Sequence, residues 1–268
     1  METPFNLRPD AFQGAAEAYV RYRPPYPKAM LAALLAQAGR GGGGVLVDLA
    51  CGPGRVALDL AHAFDAVIAI DLEPEMVAAG AREAARRGVG KVSWRVGRAE
   101  AAEIAAGSAD LVTIGEAFHR LDQGVVAARA LGWLKPGGCL ATMGTEPILR
   151  GGEPWKDAVA AVAFGWAERG SGGWAPARVG AELEPAGIEG VLRAAGFAMV
   201  TSHEVFEPRT WSFEEIAGWL RSLSICSDRA LGGDRAAFER ELLAALGGDA
   251  TQVFREEMKA SWTLARKA

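Results

Sequence analysis

The feature that most constrains the fold is a continuous apolar run that leads directly into a glycine-rich turn. Residues 45–50 read V-L-V-D-L-A, five apolar residues around a single acid. Such a run is typical of a parallel strand that is buried on both faces. The turn C-G-P-G-R follows at once, and residues 54–64 then have a helical pattern. Strand, glycine turn and helix in this order predict the first unit of an α/β fold.

Strands and helices continue to alternate after this unit, which predicts parallel pairing through right-handed crossovers. The further predicted strands cover residues 66–71, 92–96, 109–115 and 139–145. The predicted helices cover residues 10–21, 28–38, 74–87 and 123–134, with K-P-G-G at 135–138 as a turn.

The alternation loosens after residue 145 and resumes near the C-terminus. A helix is predicted at 188–196, a strand at 197–206, a helical stretch from 212 to about 247, and a last strand at 254–267. Ser212 and Glu215 have the spacing of a capping box, which predicts where the helical stretch begins.

Composition excludes several classes of partner. The net charge is −4 and the pI is about 5.6, and no dense run of Lys and Arg offers the basic patch of a nucleic-acid binder. There is no stretch of 18 apolar residues for a membrane span, and we expect the N-terminal residues, which have no apolar core, not to be a signal peptide. Cys51, Cys139 and Cys226 match no metal or disulfide pattern, so we expect reduced thiols, a cytoplasmic location and no bound metal.

The glycine turn predicts a ligand site. Glycines let a ligand approach the backbone, and the following helix presents free N–H groups to an anion. G-P-G-R-V-A also satisfies a dinucleotide pattern, so the turn alone leaves a nicotinamide cofactor open. Asp71, at the end of the second predicted strand, stands where an acid can accept both ribose hydroxyls. Residues 97–100, G-R-A-E, stand where an adenine would reach, and no Tyr-x-x-x-Lys hydride-transfer motif is visible.

Five segments in order carry a resemblance to a known family. They are V-L-V-D-L-A-C-G-P-G-R, A-I-D-L-E-P-E-M, V-G-R-A-E, A-D-L-V-T-I-G-E-A-F-H-R-L-D and L-K-P-G-G-C-L. Together they resemble the class I S-adenosylmethionine (SAM)-dependent methyltransferases, in particular the small-molecule group with a type 11-like domain. The resemblance implies a Rossmann-like, doubly wound, mostly parallel seven-stranded sheet with an antiparallel last strand and a helical lid insertion.

The resemblance also implies roles for individual residues around SAM. The residues expected to line the amino-acid part are Asp48, Ala50, Gly52 and Gly54. Those expected to hold the adenosine are Asp71 on the ribose, Leu72 and Met76 on the adenine face, and Ala99 and Glu100 on its edge. Tyr19 and Arg23 would close over the cofactor, with Arg23 on its carboxylate. Glu116, Ala117 and His119 would lie near the methyl group, and His119 or Glu116 would be the catalytic base.

Several residues keep alternative interpretations. Relatives often read Q-A-F-H-W where this chain has E-A-F-H-R, so Glu116 could instead form a local ion pair with Arg120. Asp48 could cap the next turn, and His62 and His203 are expected to be structural. Trp262 is expected in the core. Trp155, Trp166 and Trp174 could line a substrate pocket or fill a core.

The expected function is methyl transfer from SAM to a small molecule by in-line displacement, at an O, N, C or S atom. A SAM-binding protein with another role, such as a cyclase or regulator, and an NAD-dependent oxidoreductase remain the alternatives. We expect one domain over residues 1–268, as a monomer or homodimer, with a SAM-binding core at 41–145. Residues 1–40 would cover the cofactor, and residues 146–187 and 207–250 the substrate.

Overall fold

The computed structural model of the chain describes residues 12–150, 152–170 and 185–268. Within these ranges seven strands form one sheet: β1 Val45–Leu49, β2 Ala66–Asp71, β3 Val92–Val96, β4 Ala109–Gly115, β5 Leu134–Thr145, β6 Met199–Ser212 and β7 Val253–Arg266. Their order across the sheet is β3-β2-β1-β4-β5-β7-β6. Strands β1 to β5 pair in parallel, and β7 is antiparallel to both of its neighbours. The expected fold class is confirmed.

Helices cover both faces of the sheet and one end of it. The α-helices in the described ranges are α1 Ala16–Tyr22, α2 Lys28–Gln37, α3 Arg55–Leu60, α4 Pro74–Arg87, α5 Gln123–Trp133, α6 Pro154–Gly170, α7 Pro185–Ala194, α8 Phe213–Arg221 and α9 Arg235–Ala245. Short 3₁₀ turns follow β3 at Ala99–Ala101 and β4 at Phe118–Arg120. No helix in the described ranges is both long and apolar enough to cross a membrane.

Each face of the sheet has its own apolar core. One core joins the sheet to α2 and α3 through residues such as Met30, Leu34 and Leu60. The other joins it to α5 and α7 through residues such as Val126 and Leu192. Strand β4 lies at the centre and is buried along nearly its whole length, as its largely apolar sequence, A-D-L-V-T-I-G, predicts.

A third core lies beyond the carboxyl edge of the sheet and holds together α6, α8 and α9, which we call the helical cover. Trp155 and Trp166 pack against this core, so the core interpretation holds for both, while Trp174 lies outside the described residues. Trp262 is buried on β7, as expected. Helix α1 contacts α8, where the Tyr22 ring lies directly over Gly218.

The K-P-G-G segment is not a free turn. Strand β5 already begins at Leu134, and its pairing with β4 shifts register between Ala109 and Leu111. Lys135 bonds the Asp110 carboxylate at 2.7 Å, and Gly137 takes a φ of 74°. These contacts keep the segment in the sheet as a bulge, which local turn chemistry does not reveal.

In the C-terminal third the predicted helices and strands are present, but their bounds differ from the predicted ones. The capping box at Ser212 is present, but the helical stretch is two helices, α8 and α9, separated by a turn segment that includes Gly232 and Gly233, both with positive φ. Strand β6 pairs with β7 over all 14 of its residues. Residues 207–212, expected in the substrate cover, therefore belong to the sheet. Helix α1 begins at Ala16, and residues 10–11 of the predicted helix lie outside the described residues.

Candidate active site at the switch point of the sheet

The chain reverses direction across the sheet between β1 and β4, and the carboxyl ends of these two strands define the site. Among described non-glycine residues, only Ala50 and Glu116 have positive φ, at 48° and 53°. Each directly follows one of the two strands. Backbone strain of this kind persists where surrounding structure holds it, and it clusters at functional sites.

The glycine turn wraps around the end of β1. Gly52 and Gly54 have φ of 54° and 77°, conformations that favour glycine. A Cβ on Gly52 would meet only the Tyr19 ring, at 3.9 Å, whereas a Cβ on Gly54 would lie 2.3 Å from the Trp94 indole. Gly52 thus leaves space on the open side of the turn, and Gly54 is required for packing against β3.

Asp48 lies beneath this turn and is buried. Its Oδ2 accepts the Ala57 N–H at 3.1 Å and its Oδ1 accepts the Thr113 hydroxyl at 2.7 Å. Burial raises the pKa of Asp48 to about 7, against the lowering effect of these two bonds. The Asp48 carboxyl group therefore links α3 to β1 and β4. This agrees with the alternative that Asp48 caps the turn after β1, and adds a bond to the neighbouring strand β4. Its role toward the SAM ammonium group stays a prediction.

Asp71 ends β2 beside the turn. It accepts the Gly52 N–H at 2.6 Å on Oδ2 and the Glu73 N–H at 2.9 Å on Oδ1. Burial raises its pKa, while the backbone N–H groups and Arg120 act in the opposite direction. An ionised carboxylate has about four lone-pair sites, so these backbone bonds leave acceptor capacity for a further donor such as a ribose hydroxyl.

The predicted adenine residues surround the same edge with different exposures. Leu72 is 40% exposed, while Ala99 is buried. Glu100 accepts the Asp122 N–H at 3.1 Å and so ties the start of α5 to the 3₁₀ turn after β3. Met76 is covered by Ala16 and its neighbours on α1. Leu72 is thus an apolar side chain open to a ligand, whereas Met76 is buried, and the packing of both on the adenine stays a prediction.

A buried charge cluster joins the N-terminal segment to β4. The Glu116 carboxylate pairs with Arg23 at 3.1 Å and with Arg55 at 3.9 Å, and it accepts the Thr145 hydroxyl at 2.5 Å. Burial alone would raise the pKa of Glu116, but the two guanidinium groups and this hydroxyl together lower it. The alternative, a local ion pair of Glu116 with Arg120, is not formed: Arg120 lies over the Phe12 ring instead.

Arg23, predicted to pair with the cofactor's carboxylate, also bonds to side chains of the protein itself. Its Nε donates to Ser222 Oγ at 2.8 Å, and its guanidinium lies over the Tyr19 and Trp219 rings. Arg23 therefore connects α1, α8 and β4. Its position beside Tyr19 and the glycine turn agrees with a place at the cofactor, and pairing with the cofactor's carboxylate stays a prediction.

His119 faces a cavity of about 420 Å³ next to this cluster. The cavity is lined by Glu116, Ala117 and Phe118 after β4, by Thr142 on β5 and by Ile188 on α7. Burial, together with the nearby Arg120 charge, lowers the pKa of His119 to about 4. The imidazole is therefore neutral at pH 7 and can accept a proton or a hydrogen bond. The structure thus brings both candidate bases, His119 and Glu116, to one cavity.

Sequence reasoning missed Arg55, Thr145 and Tyr26 as parts of this cluster. Arg55 starts α3, where a cation opposes the helix dipole. This mismatch is the signal that the side chain has another partner. Tyr26 is buried, and the Arg55 Cζ lies over its ring, 4.8 Å from the ring centroid. The Tyr26 hydroxyl occupies the space that a Cβ on Gly115 would need.

His62 and His203 differ in their relation to the cavity. His62 Nδ1 is 2.9 Å from the Asp59 carbonyl oxygen on the surface, which agrees with the structural role expected of it. His203 lines the same cavity as His119. Its ring stacks on Trp262 with a centroid distance of 5.1 Å, and its Nδ1 is 3.4 Å from Gln37 Nε2, so its structural role stays a prediction.

Comparison with known proteins identifies the family. Residues 46–138 match the family model described as a methyltransferase domain. Nocamycin O-methyltransferase from Saccharothrix syringae is 34% identical over 229 residues, covering 78% of this chain and 81% of the relative. The chain belongs to the class I SAM-dependent methyltransferases. S-adenosylmethionine is its cofactor, and the nicotinamide and non-methyltransferase alternatives are set aside.

Solved structures share the fold of this methyltransferase. The YcgJ protein from Bacillus subtilis is 17% identical with a TM-score of 0.56, covering 90% of this chain and 99% of that one. A phosphoethanolamine N-methyltransferase 2 from Haemonchus contortus, in complex with S-adenosyl-L-methionine, is 18% identical with a TM-score of 0.51. It covers 97% of this chain and 56% of that one. The free lone pairs of Asp71, the open side of Gly52 and the exposed Leu72 fit such a cofactor.

Proposed function

We propose that this methyltransferase transfers the methyl group to an oxygen atom of a small molecule that binds in the cavity beside His119. The observation that carries the proposal is a neutral imidazole facing that cavity directly after β4. The 34% identical relative is named an O-methyltransferase, which supports oxygen as the acceptor atom. When bound, SAM would supply an electrophilic methyl group: the acceptor oxygen would bond to this carbon in line as the carbon–sulfur bond breaks, and S-adenosylhomocysteine would leave.

The chain's own residues would divide the remaining work. Asp71 holds the ribose, and the backbone around Gly52 receives the amino-acid part. His119 accepts the hydrogen bond of the acceptor hydroxyl and takes its proton as the new bond forms. Holding two reactants in near-attack geometry can supply about 7–11 kcal/mol, and a general base adds roughly 10²–10⁴-fold.

Glu116 would position groups rather than accept a proton. Both of its carboxylate oxygens already accept from neighbours, Oε2 from Arg23 and Oε1 from Thr145. A carboxylate whose two oxygens are occupied in this way is poorly placed to take a proton from the acceptor. Of the two candidate bases, we therefore assign proton acceptance to His119 and assign to Glu116 the closure of the N-terminal segment over the site.

The test is a product assay with matched acceptors. The protein is incubated with SAM and with sets of compounds that share one carbon skeleton. Within each set, one compound has an oxygen nucleophile (a hydroxyl or carboxyl group), one has an amine and one has a thiol. Formation of S-adenosylhomocysteine and the methylated product is followed by mass spectrometry. We expect turnover with an oxygen nucleophile; preferential methylation of the matched amine, thiol or carbon would overturn the proposal.

A further inference from the structure

The cavity beside His119 has a polar wall that the proposed reaction does not use. Thr142 on β5, Thr263 on β7 and Ser202 on β6 are register neighbours across three adjacent strands. All three line the cavity. Because residues directly opposite each other on paired strands share a face, their side chains form a row on the α7 side of the sheet.

The hydroxyl protons of this row have a fixed direction. Ser202 donates to Glu189 Oε1 at 2.8 Å, and Glu189 is a carboxylate that can only accept, with a pKa lowered by Ser202 and Arg193. Ser202 Oγ and Thr263 Oγ1 are 3.0 Å apart. Because the single Ser202 proton is committed to Glu189, Thr263 must donate to Ser202. Thr263 is then left with lone pairs and no proton to offer.

The Thr142 hydroxyl, unlike that of Thr263, still has its proton available for a hydrogen bond. Its side chain is 3% exposed, and its Oγ1 has no hydrogen-bond partner among the described residues. A buried hydroxyl without a partner is costly, and such groups in native structures require an explanation. Thr142 therefore offers a proton beside a neighbour, Thr263, that offers only acceptor sites.

We propose that Thr142 and Thr263 bind a hydroxyl group of the acceptor molecule, distinct from the atom that is methylated. A hydroxyl both accepts from Thr142 and donates to Thr263. A carbonyl or ether would leave Thr263 without a donor, and a protonated amine, which has no lone pair, would leave the Thr142 proton unused. The acceptor class is thus a hydroxylated small molecule, and this inference rests on the proposed function of the cavity.

The position of the pair supports recognition rather than chemistry. Strand β7 lies three positions from β1 in the sheet, a lateral distance of about 14 Å at ~4.8 Å per strand. The glycine turn and Asp71 lie at the β1 and β2 side. Thr142 and Thr263 therefore select the acceptor at the far side of the cavity from the cofactor residues.

The experiment uses cyclohexanol, cyclohexanone and cyclohexyl methyl ether as probes, titrated by ligand-observed NMR into the full chain. Titrations are run with and without S-adenosylhomocysteine. Thr142→Val and Thr263→Val keep the side-chain shape and remove the hydroxyl. We expect each to weaken cyclohexanol binding about 5- to 10-fold, the loss of one hydrogen bond, with a smaller effect for the ketone and ether. Thr210→Val, exposed on β6 outside the cavity, should change nothing.

Thermal unfolding separates a binding role from a structural one. Thr142→Val removes an unsatisfied hydroxyl, so the Tm of the free protein should rise, by about 2–4 °C if the gain equals one hydrogen bond. Thr263→Val breaks the chain to Ser202 and should lower the Tm. Unchanged cyclohexanol affinity in Thr142→Val, or a lower Tm for this variant, would overturn the inference. Failure of the proposed function would appear separately, as methyl transfer to another atom while the hydroxyl preference persists.

Discussion

Arg23 donates to Glu116 across 93 residues of sequence, with a distance of 3.1 Å between Nη1 and Oε2. Their side chains are only 11% and 13% exposed. This pair connects the segment after α1 to the end of β4, the strand that the active site follows. A buried ion pair therefore joins the N-terminal segment to the active site.

Removing the charge of Glu116 should destabilise the protein. Glu116→Gln leaves Arg23 and Arg55 without their shared anion in a buried place, and breaking such a pair costs about 3–5 kcal/mol. Urea unfolding at pH 7 measures the loss. Glu214→Gln is the control, because the Arg21–Glu214 pair is about two-thirds exposed and should contribute less than about 1 kcal/mol.

The effect of Glu116 should depend on pH in one direction. Its pKa is below the ordinary value, so its contribution to stability is present above the unfolded pKa and is lost as the pH falls through the folded one. The gap in unfolding free energy between wild type and Glu116→Gln should narrow in acid. A gap that widens on acidification would contradict the assignment of Glu116 as an anion.

His119→Ala should lower kcat by about 10²-fold, the small end of general-base effects, and should leave the affinity for S-adenosylhomocysteine nearly unchanged. His62→Ala, on the surface, is the matched control. Steady-state kinetics with the acceptor found in the product assay, together with calorimetric titration, separates the two effects. Equal losses of kcat and cofactor affinity would show that His119 supports the fold instead.

The rate should also be insensitive to pH where an ordinary histidine titrates. Burial lowers the pKa of His119 to about 4, so the imidazole is neutral from pH 8 down to pH 6 and the base form is not depleted. We expect a kcat/KM profile with no inflection near pH 6.5. An inflection there that disappears in His119→Ala would show that the imidazole titrates normally.

The same substitution should have opposite effects at two helical glycines. A Cβ on Gly218 of α8 would lie 2.2 Å from the Tyr22 ring, whereas a Cβ on Gly132 of α5 meets no atom within 4 Å. Gly218→Ala should lower stability by about 1–3 kcal/mol through overpacking, and Gly132→Ala should raise it by up to about 1 kcal/mol. Denaturant unfolding measures both; a neutral Gly218→Ala would mean that α1 does not pack on α8.

The sequence was sufficient where local signals decide the structure. The bounds of α4 follow from Pro74 at its start and Gly88 past its end, and β4 follows from a largely apolar run. Asp71 could be placed at the end of β2 because parallel strands carry ligand sites at their carboxyl ends. These features depend on neighbours in sequence or on general rules of α/β folds.

Contacts between distant segments could not be predicted. Nothing near Glu116 in sequence shows that it takes positive φ or that it pairs with Arg23 and Arg55, because those partners are brought to it by the fold. The glycine turn predicts that Gly54 leaves space for a ligand, but the Trp94 ring lies where a Cβ on Gly54 would be. The length of β6 was missed because its outer half is mostly exposed and lacks apolar alternation.

The central claim is that the Asp71 carboxylate holds the cofactor's ribose, and isothermal titration with S-adenosylhomocysteine tests it most directly. Asp71→Asn should raise Kd about 10- to 100-fold, the loss of hydrogen bonds to a charged acceptor. Asp65→Asn, which alters an acid bonded to the Gly44 N–H just before β2, should bind as wild type does. An Asp71→Asn protein that folds normally and binds with unchanged affinity would contradict the account.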